Sequence, residues 1–172
     1  LKSIDLPDSI TGIGSFAFAG CSRLESVTFG LGLSLINPGA FTKCISLKEI
    51  VLPANVKTIA DRSSTYDETY GYAGVFQGCT SLTSVTIGDE TTDINFTTIG
   101  SDAFSGCTSL QTLYIGNNVS RIESRAFQGC RSLETVSLGD HISVIDSYAF
   151  EGCSNLKSID LPDSITGIGS FA

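Results

Sequence analysis

Six cysteines are the residues of this sequence whose type and spacing could do chemistry. Cys21, Cys44, Cys79, Cys107, Cys130 and Cys153 each stand three residues after a phenylalanine. Cysteines in such numbers can form disulfides or pack as thiols. Here each occupies the same place in a recurring unit, so in a stack of units they form a ladder. Rungs of parallel strands lie about 4.8 Å apart, within disulfide reach, but side chains of one orientation rarely offer the roughly 90° torsion of the bond. The spacing therefore predicts buried free thiols that act as small hydrophobes.

Other candidates for chemistry are weaker. Asp89, Glu90 and Asp93 could hold a hard cation, but their spacing matches no established loop. Gly12 and Gly14 lack the strand-to-long-helix setting of a phosphate loop. His141 is the only histidine, with no nucleophile or carboxylate that recurs with it. No nucleophile, base and orienting group can be assembled by spacing, so the expectation is a non-enzymatic protein with no cofactor and no metal. Asn95-Phe96-Thr97 and Asn118-Val119-Ser120 fit the glycosylation sequon, which matters only in a secreted eukaryotic protein.

The element that positions the cysteines is a repeat. Leu1 returns as Leu24, Leu47, Leu82, Leu110, Leu133 and Leu156, at spacings of 23, 23, 35, 28, 23 and 23. The apolar residue three places on returns as Val27, Ile50, Val85, Leu113, Val136 and Ile159. Ala17-Phe18 returns as Ala40-Phe41, Ala103-Phe104, Ala126-Phe127 and Ala149-Phe150, with Val75-Phe76 as the variant. A fixed period in the twenties signals a solenoid, whose units cannot bury their apolar faces alone and must stack. We expect one solenoid over residues 1–172, with units starting near 1, 24, 47, 82, 110, 133 and 156 and insertions at about 61–74 and 89–96.

Within a unit, Ile4 and Leu6 alternate with Ser3 and Asp5, as in a short parallel strand with one buried face. Pro7, Pro53 and Pro162, or glycine elsewhere, stop it. Ile10 and Ile13 line the opposite wall. The Ser-x-Ala-Phe segment reads as a short turn of helix closed by Gly20.

Composition narrows the function. With 10 Lys+Arg against 18 Asp+Glu the net charge is -8 and no basic cluster appears, which argues against nucleic acid. No apolar run approaches the roughly 20 residues of a membrane span. The sequence starts at a unit boundary, so it reads as a window cut from a longer array. Residues 156–172, LKSIDLPDSITGIGSFA, are identical to residues 1–17, which implies a higher-order repeat of 155 residues or an introduced overlap.

The anchors L-x-x-I-x-L-P, I-x-x-I and A-F-x-G-C resemble the BspA-like leucine-rich repeats, whose unit LxxIxLPxxIxxIGxxAFxGCxxL stands almost whole in residues 1–24. The resemblance covers the chain apart from its insertions and implies a leucine-rich-repeat-like, right-handed stack of units. It also implies a cell-surface or extracellular location and adhesion or aggregation. The chain lacks the Asn of the ordinary L-x-x-L-x-L-x-x-N repeat.

Two surfaces are expected to meet a partner, either a protein or glycan ligand. Outward strand positions form two columns: Ser3, Ser26, Glu49, Ser84, Thr112, Thr135 and Ser158 in one, Asp5, Thr28, Val51, Thr86, Tyr114, Ser137 and Asp160 in the other. From these, Glu49, Val51, Thr86, Thr112 and Tyr114 are the candidate contacts. The polar insertion DRSSTYDETYGYAG adds Tyr66, Asp67, Glu68, Tyr70 and Tyr72, since solenoid insertions become loops that often bind. The alternative partner is an identical chain, stacked end to end into a filament or surface array.

Overall fold

In a computed structural model of the protein, residues 1–60, 66–90 and 97–172 are described. Among them fifteen short strands follow in chain order. They are β1 (Ser3–Asp5), β2 (Gly12–Ile13), β3 (Ser26–Thr28), β4 (Leu35–Ile36), β5 (Glu49–Leu52), β6 (Thr58–Ile59), β7 (Tyr66–Asp67) and β8 (Gly71–Tyr72). The chain continues through β9 (Ser84–Ile87), β10 (Thr97–Ile99), β11 (Thr112–Ile115), β12 (Val119–Ile122), β13 (Thr135–Ser137), β14 (Val144–Ile145) and β15 (Gly167–Ile168).

Each of the first six rungs supplies a strand to two walls, and the seventh supplies β15 to one of them. The second strands form one continuous parallel sheet of seven, β2-β4-β6-β10-β12-β14-β15. The first strands form a parallel sheet β5-β9-β11-β13, with β1-β3 as a separate pair. Alternation sets which side chains enter the core: in β5, Ile50 and Leu52 are buried while Glu49 and Val51 are exposed.

The third wall corrects one expectation. The Ser-x-Ala-Phe segment is not helical; among the described residues no helix occurs, and this segment is a tight double turn. Two left-handed residues per turn explain why. The position before Ala-Phe has positive φ at Phe16, Gly39, Asp102, Arg125, Tyr148 and Phe171, and the position before Cys has it at Gly20, Lys43, Gly78, Gly106, Gly129 and Gly152. Such a backbone cannot continue a right-handed helix. It instead aims its N–H groups at the next rung: Phe41 N donates to Val75 O at 2.8 Å, Phe76 N to Ala103 O at 2.7 Å and Phe104 N to Ala126 O at 2.7 Å.

Two ladders fill the space inside the turns. Rings of Phe18, Phe41, Phe76, Phe104, Phe127 and Phe150 stack face to face, with neighbouring centroids 5.0–5.4 Å apart and planes within 14° of parallel. Each buried aromatic side chain is worth roughly 2–3 kcal/mol of transfer free energy. Beside them runs the cysteine ladder, with all six thiols free as the spacing predicts. Cys44 Sγ donates to Phe18 O at 3.2 Å, Cys107 to Phe76 O at 3.4 Å and Cys130 to Phe104 O at 3.4 Å. From the second rung to the sixth, a thiol thus donates to a carbonyl of the rung before it.

Candidate binding surface

The first-strand sheet brings its outward candidates into register. Glu49 pairs with Ser84, Ser84 with Thr112 and Thr112 with Thr135; Val51 pairs with Thr86, Thr86 with Tyr114 and Tyr114 with Ser137. The five candidate residues of this face therefore lie in two adjacent columns. Glu49, Val51 and Thr112 are exposed, Thr86 and Tyr114 half-buried. Burial pushes the Tyr114 hydroxyl above its ordinary pKa, and the charges of Glu90 and Asp89 add to the shift. Tyr114 is accordingly a neutral hydrogen-bond donor across the physiological range.

The ladder is interrupted between β3 and β5, and a groove of about 470 Å³ opens there, lined by Val27, Thr28, Phe29, Leu31, Val51 and Pro53 among others. Leu31 is 72% exposed and Val51 52% exposed. Leu31 was missed by the column reading because it follows the strand. A signal for it exists in the sequence: its counterparts in other units are Asp8, Ala54, Asp89, Asn117, Asp140 and Asp163, so a large apolar residue here breaks a mostly polar position. Val51 breaks its own column of Asp, Thr, Tyr and Ser in the same way. Just before β3, Glu25 is held between Lys48 at 3.0 Å and Lys2 at 3.9 Å. The Lys48 hydrogen bond and charge hold the Glu25 carboxyl below its usual range, with help from Lys2.

The second candidate group lies elsewhere. Strands β7 and β8 form an antiparallel hairpin that pairs Tyr66 with Tyr72 and Asp67 with Gly71. Asp67 shapes its tip, its Oδ1 accepting from Thr69 N at 2.8 Å and Tyr70 N at 3.0 Å, an Asx turn. Tyr70 folds back on the turn wall: its ring stacks on Phe16 with centroids 6.0 Å apart, and Lys43 Nζ sits 5.4 Å from its centre. The Tyr70 hydroxyl occupies space beside Gly20 that a side chain there would fill. Glu68 is exposed. The described ring partners of Tyr70, Phe16 and Lys43, belong to the turns of the first two rungs, so the hairpin and the β5-β9-β11 face are separate surfaces.

A sequence profile of the BspA type leucine rich repeat region matches residues 1–68 and 69–172, as six copies. The chain belongs to the BspA-type leucine-rich repeat family. Solved structures agree in fold. A leucine-rich repeat protein from Eubacterium ventriosum is 26% identical with a TM-score of 0.82, over 99% of this chain and 41% of its own. The T. pallidum leucine rich repeat protein is 30% identical with a TM-score of 0.73, over 91% of this chain and 65% of its own. The chain thus spans less than two thirds of either relative. No curated protein sequence matches it.

Within this BspA-type frame the remaining candidates can be placed. Asn118 is 2% exposed, and its Nδ2 donates to Ala54 O at 3.0 Å and to Thr97 Oγ1 at 3.3 Å. The amide spans from the fifth unit to the third across the insertion of the fourth, where the β10-β12 register slips between Thr97 and Thr98. A glycan cannot be attached there in the folded chain. Asn95 and Asp93 lie outside the described residues. Asp89 and Glu90 are exposed, as is His141. Among the described residues no group of three or more His, Cys, Asp or Glu side chains could hold a metal ion, and no helix is long and apolar enough to cross a membrane.

Proposed function

We propose that this BspA-type chain is a cell-surface or extracellular interaction module that adheres to a protein or glycoprotein through the first-strand face. Leu31 and Val51 carry the reading: two exposed apolar residues, each at a position polar or small in other units, flank one groove where the sheet splits. Scattered apolar surface is ordinary, but a paired departure beside an open groove has the make-up of an anchor site, apolar at its centre and polar at its rim. Glu49, Thr86, Thr112 and Tyr114 continue the face with polar contacts. The hairpin that carries Tyr66, Asp67, Glu68, Tyr70 and Tyr72 is a second, independent candidate for contact. The repeat class supports a protein partner, since leucine-rich repeats are interaction scaffolds.

The test is binding to an immobilised panel of extracellular-matrix glycoproteins, native and enzymatically deglycosylated. Binding that survives deglycosylation and is lost in Leu31→Asp supports a protein-directed groove. Binding lost on deglycosylation assigns the ligand to glycan, and binding untouched by Leu31→Asp removes the groove from the account.

A second reading has its own observation. Residues 156–172 repeat residues 1–17 exactly, a regularity that fits identical chains building a filament or surface array.

A further inference from the structure

The row of residues that follows the first strands changes character along the stack. Leu31 after β3 and Ala54 after β5 are apolar, whereas Asp89 after β9, Asn117 after β11 and Asp140 after β13 are polar or acidic. These positions are neighbours in consecutive rungs: Asn117 N donates to Asp89 O at 2.8 Å, and Asp140 N donates to Asn117 Oδ1 at 2.9 Å. Asp89, Glu90 and Asp140 are exposed.

Two equivalent places on this surface therefore differ in chemistry. Leu31 stands in the groove with Val51 of the next rung, and two rungs further on Asp89 stands in the same relation to Tyr114. Val51 and Tyr114 belong to one column, joined through Thr86. Burial first, and then the charges of Glu90 and Asp89, raise the Tyr114 pKa, so both carboxylates are within electrostatic reach of its hydroxyl. Only the small side chains of Ala54 and Thr86 lie at the corresponding positions between the two places. Rungs about 4.8 Å apart put the places roughly 10 Å from each other, a span that an extended chain covers in about three residues.

We propose that the partner is a protein presenting an extended segment with a large apolar side chain and, about three residues away, a basic one. The apolar side chain enters the groove of Leu31 and Val51, and the basic one pairs with Asp89 and Glu90 beside Tyr114. This rests on the groove reading above and names the chemistry of its ligand. Carboxylates and the face of a neutral phenol both favour a cation, and arginine meets both with one planar group. The net charge of -8 carries the attraction out into solvent. Because the two places are unlike, they also fix the direction in which the segment lies along the stack.

A peptide array tests the pairing. Its peptides carry one leucine and one arginine in a glycine-serine background, in both orders and at graded separations, beside versions with glutamate for arginine or serine for leucine. Binding of the unaltered chain is expected to peak at a separation of about three residues and to fall about tenfold when glutamate replaces arginine. Glu90→Lys is expected to weaken the arginine peptides by a similar factor and to leave the leucine-only peptides unchanged, while Leu31→Ser weakens both. Binding that needs Leu31 but ignores the arginine, its spacing and Glu90→Lys overturns the paired contact and leaves the groove reading standing. Binding of arginine peptides that survives Leu31→Ser assigns them to charge alone and overturns the proposal. Failure of every peptide to bind overturns the extended-segment partner, and the glycoprotein panel then judges the groove by itself.

Discussion

Cys79 Sγ donates to the carbonyl oxygen of Phe41, 38 residues earlier and one rung below, at 3.2 Å. The same carbonyl accepts Cys44 N at 3.2 Å, so one oxygen ties together the turn of its own rung and the thiol of the next. This double acceptance is what makes Phe and Cys recur as a pair three residues apart.

Removing one thiol from the middle of the ladder deprives a buried carbonyl of a partner and leaves a small void. Cys107→Ala is expected to cost about 2 kcal/mol. Urea unfolding followed by circular dichroism measures it, and Cys107→Ser, which keeps a donor, recovers part of the loss.

Burial pushes the Cys44 and Cys107 thiols up to about 12 and that of Cys79 well above its ordinary value. Its hydrogen bond to Cys153 and then burial raise Cys130 likewise. These groups stay protonated in the folded chain but ionise in the unfolded chain near pH 9. Their contribution is therefore fully present below that pH and is lost as pH climbs toward 12, at up to about 1.4 kcal/mol per pH unit for each thiol. Unfolding midpoints measured from pH 7 to 10.5 should be level at first and then fall steeply. An alkaline limb no shallower in a variant with two ladder thiols replaced by Ala would contradict this origin.

Gly106 has φ +73° and closes its turn at the place where Gly20 closes the first. The nearest atoms to a Cβ there are Gly78 N and Cα at 3.9 Å, so Gly106→Ala meets no collision and its cost is purely backbone. We expect a loss of about 1 kcal/mol, because alanine is disfavoured in the left-handed region that glycine adopts freely. Thermal unfolding reads the sign directly.

Position along the aromatic stack sets the value of each ring. Phe104 lies between Phe76 and Phe127, while among the described residues Phe150 stacks on Phe127 alone. Phe104→Ala should cost about 3–5 kcal/mol and Phe150→Ala distinctly less. Equal losses would mean that the stack is not the unit of packing.

Much of this fold was legible in the sequence because a solenoid repeats its instructions. The leucine, Phe and Cys anchors gave the rung, and the alternation of Ile4 and Leu6 with Ser3 and Asp5 gave the buried face. The turn was misread because Ala-Phe flanked by polar residues has helical composition; only the left-handed angles at positions as different as Phe16, Asp102 and Arg125 show otherwise, and non-glycine residues do not advertise them. The strand columns were readable from the period alone. The separation of the hairpin from the strand face was not, since it depends on Tyr70 finding Phe16 and Lys43 in rungs that precede it by one or two units. The groove escaped because the break between β3 and β5 is a pairing event rather than a residue type, although Leu31 marked its edge.

The most direct test of the interaction surface is binding by the double variant Leu31→Asp, Val51→Asp, compared with the unaltered chain on the same glycoprotein panel. Both side chains are exposed, so the melting temperature should stay within a few degrees. The account predicts that affinity falls by tenfold or more, as expected for loss of an apolar anchor worth about 1.4 kcal/mol or greater. Unchanged affinity with an intact fold would contradict it and move the binding surface away from the first-strand face.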